Sequence, residues 1–139
     1  MKLITRDTDY AIRALCYIAK GKDELVSVSE LVRELNIPRP FLRKILQILN
    51  NKGILNSHKG KGGGFSLALP PDKIFLNKLL EAFHGPLKLN ECFLRKDICA
   101  DVRTCVLKRK VADIERRVRD DLRSISIYSL LNGGGRKHG

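Results

Sequence analysis

The strongest constraint on this chain lies between residues 26 and 69, which read VSVSELVRELNIPRPFLRKILQILNNKGILNSHKGKGGGFSLAL. Two short amphipathic patterns are separated by a turn and followed by a glycine-rich segment edged with lysine. Ser29 precedes Leu31, Val32 and Leu35 and suits an N-cap, because its hydroxyl can accept an orphan N–H of the first turn. Asn36-Ile37-Pro38 closes that helix, since the residue before a proline is pushed out of the α region. Pro40 fits the first turn of the next helix, where no N–H acceptor is required. That helix is expected to bury Phe41, Leu42, Ile45, Leu46 and Leu49 and to leave Arg39, Arg43, Lys44 and Gln47 outside. Asn51-Lys52-Gly53 is a stop signal. Residues 54–58 and 65–69 then read as two strands joined by Lys59-Gly60-Lys61-Gly62-Gly63-Gly64.

The order of helix, basic-faced helix and basic hairpin predicts a mainly α fold with a small β wing, a winged helix-turn-helix, and it points to DNA. A phosphate loop is the poorer reading. It needs G-x-x-x-x-G-K-[ST] between a strand and a helix, whereas these glycines lie between two strands, before Phe65 and Ser66. Charge agrees with nucleic acid: 27 Lys and Arg stand against 15 Asp and Glu, a formal net charge of +12 at pH 7. Cations grouped on one helix face and a wing suit phosphate contacts, whose counterion release makes affinity fall with salt.

A chain of 139 residues supports one domain plus an appendage. The pattern divides it into a DNA-binding domain over 1–86, a cysteine-rich loop over 87–104, a long helix over 105–131 and a basic tail over 132–139. The first helix is expected over 7–20, with Ala11, Ala14, Leu15, Ile18 and Ala19 apolar, Cys16 in the core pattern and Gly21 as its stop. A short amphipathic helix is expected over 76–84, ended by Gly85-Pro86. There is no signal-peptide layout and no apolar run near the ~20 residues of a membrane span. The expected compartment is therefore a reducing cytoplasm, where structural disulfides are rare. An enzyme fits poorly, since His58, His84 and His138 show no nucleophile–base layout.

Along 105–131, Leu107, Val111, Ile114, Val118, Leu122, Ile125 and Tyr128 recur at near-heptad spacing. About 27 residues of helix make a rod of roughly 40 Å, longer than so small a domain easily covers. A two-fold dimer helix is expected, which would set paired recognition helices against successive major grooves of a near-palindrome.

Cys92, Cys99 and Cys105 are spaced C-x6-C-x5-C. Three thiolates can hold an iron–sulfur cluster, zinc or copper, though zinc sites prefer tighter pairs. Arg95, Lys96, Arg103 and Lys108 would favour thiolate and offset an anionic cluster. Reduced thiols without a role, or a thiol redox switch, are the alternatives that spacing leaves open.

Several segments together resemble the bacterial Rrf-type winged-helix regulators, the family typified by IscR, NsrR and CymR. They are the opening Met1-Lys2-Leu3, TDYAIRAL, VSVSELVRELNIPRPFLRKILQILNNKGIL, the wing HKGKGGGFSLA, IFLNKLLEAFHGP, and three cysteines before a C-terminal helix. The likeness covers residues 1 to about 131. It implies a homodimeric transcription factor, a repressor or an activator, with DNA contacts from Ser29, Arg39, Pro40, Arg43, Lys44, Gln47, His58, Lys59, Lys61, Gly62 and Gly63. In members with three cysteines it also implies an iron–sulfur cluster, four-iron or two-iron, that senses redox state, nitric oxide or cluster supply. Cysteine-free members do without metal, so a metal-free factor governed by a partner protein or by thiol oxidation is the second reading. The gap from Cys92 to Cys99 is one residue longer than the family's usual one. Where the IscR-like pattern has a histidine three residues after the third cysteine, this chain has Lys108. The NsrR-like pattern instead uses an aspartate of the first helix of the other subunit, and Asp9 matches it, with His84 the second candidate. Arg43 replaces a glutamate that IscR-like members use for discrimination, so their operator preference does not transfer.

Overall fold

A computed structural model describes residues 3–21, 25–89 and 102–133 of the chain. Helix α1 (Arg6–Lys20) starts one residue earlier than expected because Thr5 and Thr8 cap it reciprocally. Thr8 Oγ1 accepts from the Thr5 N–H at 2.8 Å, and Thr8 itself is fully buried. Asp7 and Asp9 occupy the first turn and Lys20 the last, each favourable to the helix dipole. Ala11, Ala14, Leu15 and Ile18 form the buried stripe, and Gly21 ends the helix by donating to the Ile18 carbonyl at 3.0 Å.

Helix α2 (Val28–Leu35) is capped by Ser27, whose Oγ accepts from the Glu30 N–H at 3.1 Å, and not by Ser29 as periodicity suggested. A contact remote in sequence decides this. Val26 and Phe65 exchange backbone hydrogen bonds of 3.0 and 2.8 Å, which hold the chain extended up to Ser27. The helix therefore begins immediately afterwards and carries Ser29 on its exposed side. Asn36 closes α2 in the left-handed conformation (φ 56°), which asparagine tolerates better than most residues.

Helix α3 (Arg39–Asn51) has Pro38 as its N-cap and Pro40 in the first turn, and it buries Leu42, Ile45, Leu46 and Leu49. Phe41, expected in that stripe, is 40% exposed. One residue is about 100° of helix rotation, so Phe41 lies ahead of the buried face, and its ring is covered by the Arg6 guanidinium at 4.7 Å.

The wing is an antiparallel pair, β1 (Leu55–His58) and β2 (Gly64–Leu67), in the register Leu55↔Leu67 to His58↔Gly64. Both strands are shorter than expected. Ile54 donates to the Leu49 carbonyl and accepts from Ala68, so it joins the end of α3 to the wing. The Val26–Phe65 bridge adds a third edge, fixing the wing to the segment that leads into α2.

After a single 3-10 turn at Pro71–Lys73, helix α4 (Leu76–His84) spans the residues expected and ends at Gly85 with φ 78°. The long rod expected over 105–131 is instead two helices, α5 (Val102–Arg123) and α6 (Ile127–Gly133). The interruption is an attachment point. Leu76 donates to the Ile125 carbonyl at 2.8 Å and Ile127 donates to the Ile74 carbonyl at 2.9 Å, a short bridge between the break and the start of α4. Ser126 and Ser129 then cap α6 reciprocally, each hydroxyl accepting the other's N–H. One core runs through Leu15, Leu31, Ile37, Leu42, Ile45, Leu46, Leu49, Leu55, Leu79 and Ile127, each at most 2% exposed. Burial of such side chains contributes roughly 1.5–3 kcal/mol apiece, and it fixes α3 and the wing in one orientation.

Candidate nucleic-acid interface and sensor face

The outward face of α3 is built by the same periodicity that buries its inner face. Arg39, Arg43 and Gln47 fall four residues apart, Pro40 and Lys44 line up beside them, and all five are exposed. Three cations thus share the face, and α3 contains no acidic residue. Arg39 is steadied from α2: its Nη2 donates to Ser29 Oγ at 3.1 Å. Ser29 therefore sits beside the reading face although it does not cap α2. Arg6 and Phe41 border the first turn of α3 as well, a pairing that periodicity could not reveal because only the fold brings α1 and α3 together.

At the wing, Lys59 and Lys61 are exposed on the turn, and His58 Nε2 bonds Ser66 Oγ at 3.1 Å across the two strands. The glycines answer distinct demands. Gly62 has φ 78°, a conformation most side chains avoid. A Cβ on Gly63 would collide with the His58 carbonyl oxygen, and one on Gly64 would come within 2.5 Å of the Val26 carbonyl oxygen. The tip consequently closes tightly and carries its lysines on a thin backbone edge.

The metal candidates divide. Cys92 and Cys99 lie outside the described residues. Cys105 is exposed near the start of α5. Asp9 is outward-facing, with its side chain 54% exposed and an ion pair to Arg13 at 3.4 Å. His84 shares a hydrogen bond of 2.9 Å between its Nε2 and Thr5 Oγ1, which ties α4 to the cap of α1. Lys108 is exposed on α5. No group of three potential ligands occurs among the described residues. The donor chemistry fits a cluster as far as it is described, for Cys105 offers a thiol and Asp9 a carboxylate, both at the surface. Cys16 is different. It is half-buried in α1, and burial pushes its thiol up, with Lys20 opposing.

The apolar stripe of the C-terminal helices also divides. Val106, Leu107 and Ile114 are 43%, 42% and 45% exposed, with Val111 and Val118 half-buried between and beyond them. Further on, Leu122 and Ile127 are buried against this chain's own core. Ile125 is half-buried at the bridge, while Tyr128 remains 54% exposed.

A helix-turn-helix whose second helix is cationic, flanked by a glycine-tipped cationic wing, defines a DNA-binding transcriptional regulator of the winged-helix class. The chain belongs to the Rrf2 family, described as iron-dependent transcriptional regulators, whose model matches residues 4–133. A relative in Aquifex aeolicus, named as an HTH-type transcriptional regulator, is 36% identical over 125 residues, covering 88% of this chain and 87% of that one. Among solved structures, the fold is similar to CymR (YrzC), the global cysteine regulator of B. subtilis, with a TM-score of 0.77 and 21% identity over 96% of this chain and 98% of that one. It is also similar to IscR of T. potens, with a TM-score of 0.70 and 21% identity over 100% of this chain and 94% of that one. The family is one of transcriptional regulators. Among the described residues no helix is long and apolar enough to cross a membrane.

Proposed function

We propose that the chain is a homodimeric cytoplasmic regulator whose affinity for a near-palindromic operator is set by an iron–sulfur cluster held by Cys92, Cys99 and Cys105, with Asp9 of the partner subunit as fourth ligand. Arg39, Arg43, Lys44 and Gln47 read the major groove, with Ser29 and Pro40 at the edge of that face. His58, Lys59, Lys61, Gly62 and Gly63 bring the wing to phosphates or the minor groove. Leu107, Val111, Ile114 and Val118 form the two-fold seam, extended by Leu122, Ile125 and Tyr128 at its far end.

The observation that carries the sensor reading is the order of residues where α5 begins to present its side chains. Exposed Cys105 is followed two residues later by exposed Leu107, the first residue of the proposed seam. A change at Cys105 would act two residues from the surface that would orient the two DNA-binding domains. A bound cluster would supply redox and ligand-exchange chemistry. The protein supplies thiolates, a carboxylate that bonds iron less covalently than thiolate, and cations that offset negative charge. Oxygen-free reconstitution of wild type, Cys99→Ala and Asp9→Ala, with iron and sulfide counted and spectra recorded, tests the assignment. Wild type should take up both and Cys99→Ala should lose the spectrum. A wild type that takes up neither would leave the metal-free reading, control by thiol oxidation or a partner protein. If Asp9→Ala alone is silent, His84 becomes the ligand to test.

A further inference from the structure

Where the segment before α1 meets α4 and the C-terminal half of α5, there is a cavity of about 190 Å³. Leu3, Leu80 and Leu122 give it apolar walls, while Asn77, Glu81 and Arg119 bring an amide, a carboxylate and a guanidinium to the same space. None of these six residues has a part in DNA contact, in the cysteine set or in the open seam, apart from Leu122 at the seam's buried end; His84, the second ligand candidate, also lines the cavity.

Three observations mark the cavity as a built site. Asn77 is only 8% exposed, yet its Oδ1 has no hydrogen-bond partner, although folded proteins satisfy nearly all buried polar atoms. Glu81 stands one helical turn beyond Asn77 on α4, so amide and carboxylate rise from the same face. Arg119 is held in place, its Nη2 donating to Glu115 Oε2 at 2.8 Å and to the Leu87 carbonyl at 3.4 Å. Its Nη1 and Nε take no part in those two bonds. Lys88 adds a second cation to the wall.

A purely apolar ligand would leave the Asn77 oxygen without a partner, and a simple anion would meet Glu81. Opposite charges above an apolar floor suit a small zwitterion with an apolar side chain. Size agrees: at ~30 Å³ per water the cavity holds about six waters, well under the ~300 Å³ of a drug-sized pocket. We infer that this cavity binds a free α-amino acid of roughly valine-to-methionine size. Its carboxylate meets the fork of Arg119, its ammonium meets Glu81 and the Asn77 amide oxygen, and its side chain lies on Leu3, Leu80 and Leu122. The ligand touches α4, in the DNA-binding half, and α5, which carries the open seam. A regulatory effect on operator affinity follows only on the function proposed above, and only if the DNA-bound and DNA-free forms bind the amino acid unequally. The binding itself does not depend on that reading.

Isothermal titration of the full chain with L-valine, L-leucine and L-methionine tests the site, with isocaproate and isoamylamine as leucine analogues that each lack one charge. The expected result is saturable binding of at least one amino acid, weakened about tenfold or more by loss of either charge, by Asn77→Leu or by Arg119→Gln. Asn77→Leu keeps the buried volume and removes the unpartnered oxygen, and Arg119→Gln alters a partly exposed residue on another helix, so the two variants check each other. No saturable response to any of the three at about 10 mM, analogues that bind as well as leucine, or binding unchanged in both variants would overturn the inference. The titration uses neither DNA nor metal, so failure to bind an operator and failure to bind an amino acid are separate results.

Discussion

Replacing Ile114 by aspartate probes the proposed dimer seam where its effect can be worked from exposure. Ile114 is 45% exposed within one protomer, so an opposing helix can remove close to half of its surface from water. Full burial of such a side chain contributes roughly 1.5–3 kcal/mol, and the uncovered part is therefore worth about 1 kcal/mol per protomer. Two-fold symmetry places the same residue on both sides, which makes about 2 kcal/mol of lost apolar contact. The introduced carboxylates add a desolvation cost of several kcal/mol per ion when unpaired. A total near 5 kcal/mol or more raises the dimer dissociation constant by at least three powers of ten, at about 1.4 kcal/mol per tenfold. Folding of the protomer should barely change, because exposed substitutions usually stay within ~0.5 kcal/mol. Sedimentation equilibrium over a concentration series reads the mass directly, with Arg109→Glu, on the far side of α5, as the control. An Ile114→Asp protein that remains dimeric at the wild-type concentrations, with Val118→Asp behaving alike, would refute the seam.

Other consequences are as specific. Arg43→Ala should cost roughly 1–3 kcal/mol of operator binding and relax sequence preference, whereas Lys61→Ala should weaken all sequences alike and flatten the salt slope, both read by fluorescence anisotropy across salt concentrations. Gly64→Ala should destabilise the fold by about 1–3 kcal/mol, since its Cβ displaces the Val26 carbonyl and disturbs two bridge hydrogen bonds; urea unfolding measures it, and an unchanged midpoint would contradict the role of that approach. Tyr17 donates to Glu30 Oε2 at 2.7 Å, and this bond, ahead of burial, holds the phenol above its ordinary value. A group raised on folding stabilises below its unfolded pKa and loses that contribution as pH climbs through the folded one. Thermal melts on the alkaline side should therefore fall more steeply for wild type than for Tyr17→Phe.

What the sequence made legible is whatever local chemistry decides. The proline at the start of α3, the asparagine and glycine stops, and the three- and four-residue spacing of Leu42, Ile45, Leu46 and Leu49 place the helix-turn-helix without reference to the rest of the chain. The same alternation puts Arg39, Arg43, Lys44 and Gln47 on the outer face. The departures arise where hydrogen bonds remote in sequence intervene. Val26 pairs with Phe65 and moves the α2 cap from Ser29 to Ser27. Ile125 and Ile127 pair with Leu76 and Ile74 and split the expected rod, which assigns Leu122 and Ile127 to the protomer's own core. The alternation of serine and isoleucine from Ser124 to Ile127, with Ser129 three residues after Ser126, is a strand-like and capping signal that a heptad reading passes over. Phe41 is exposed because one residue of helix rotation separates it from the buried stripe, and the company of Arg6 depends wholly on tertiary packing. The cavity at Asn77 has no sequence signature at all, since an asparagine in an amphipathic helix reads as surface until the fold encloses it.

If occupancy of the cysteines controls DNA affinity, one comparison of three forms of the protein must show it. Wild type reconstituted without oxygen, the same protein after cluster removal, and Cys99→Ala are titrated against an operator selected from genomic DNA at fixed salt. The loaded form should differ from the other two by about tenfold or more, a coupling near 1.4 kcal/mol, and the cluster-free wild type and Cys99→Ala should agree with each other. Equal affinity of all three for the selected operator, with iron and sulfide bound by the loaded form alone, would contradict it.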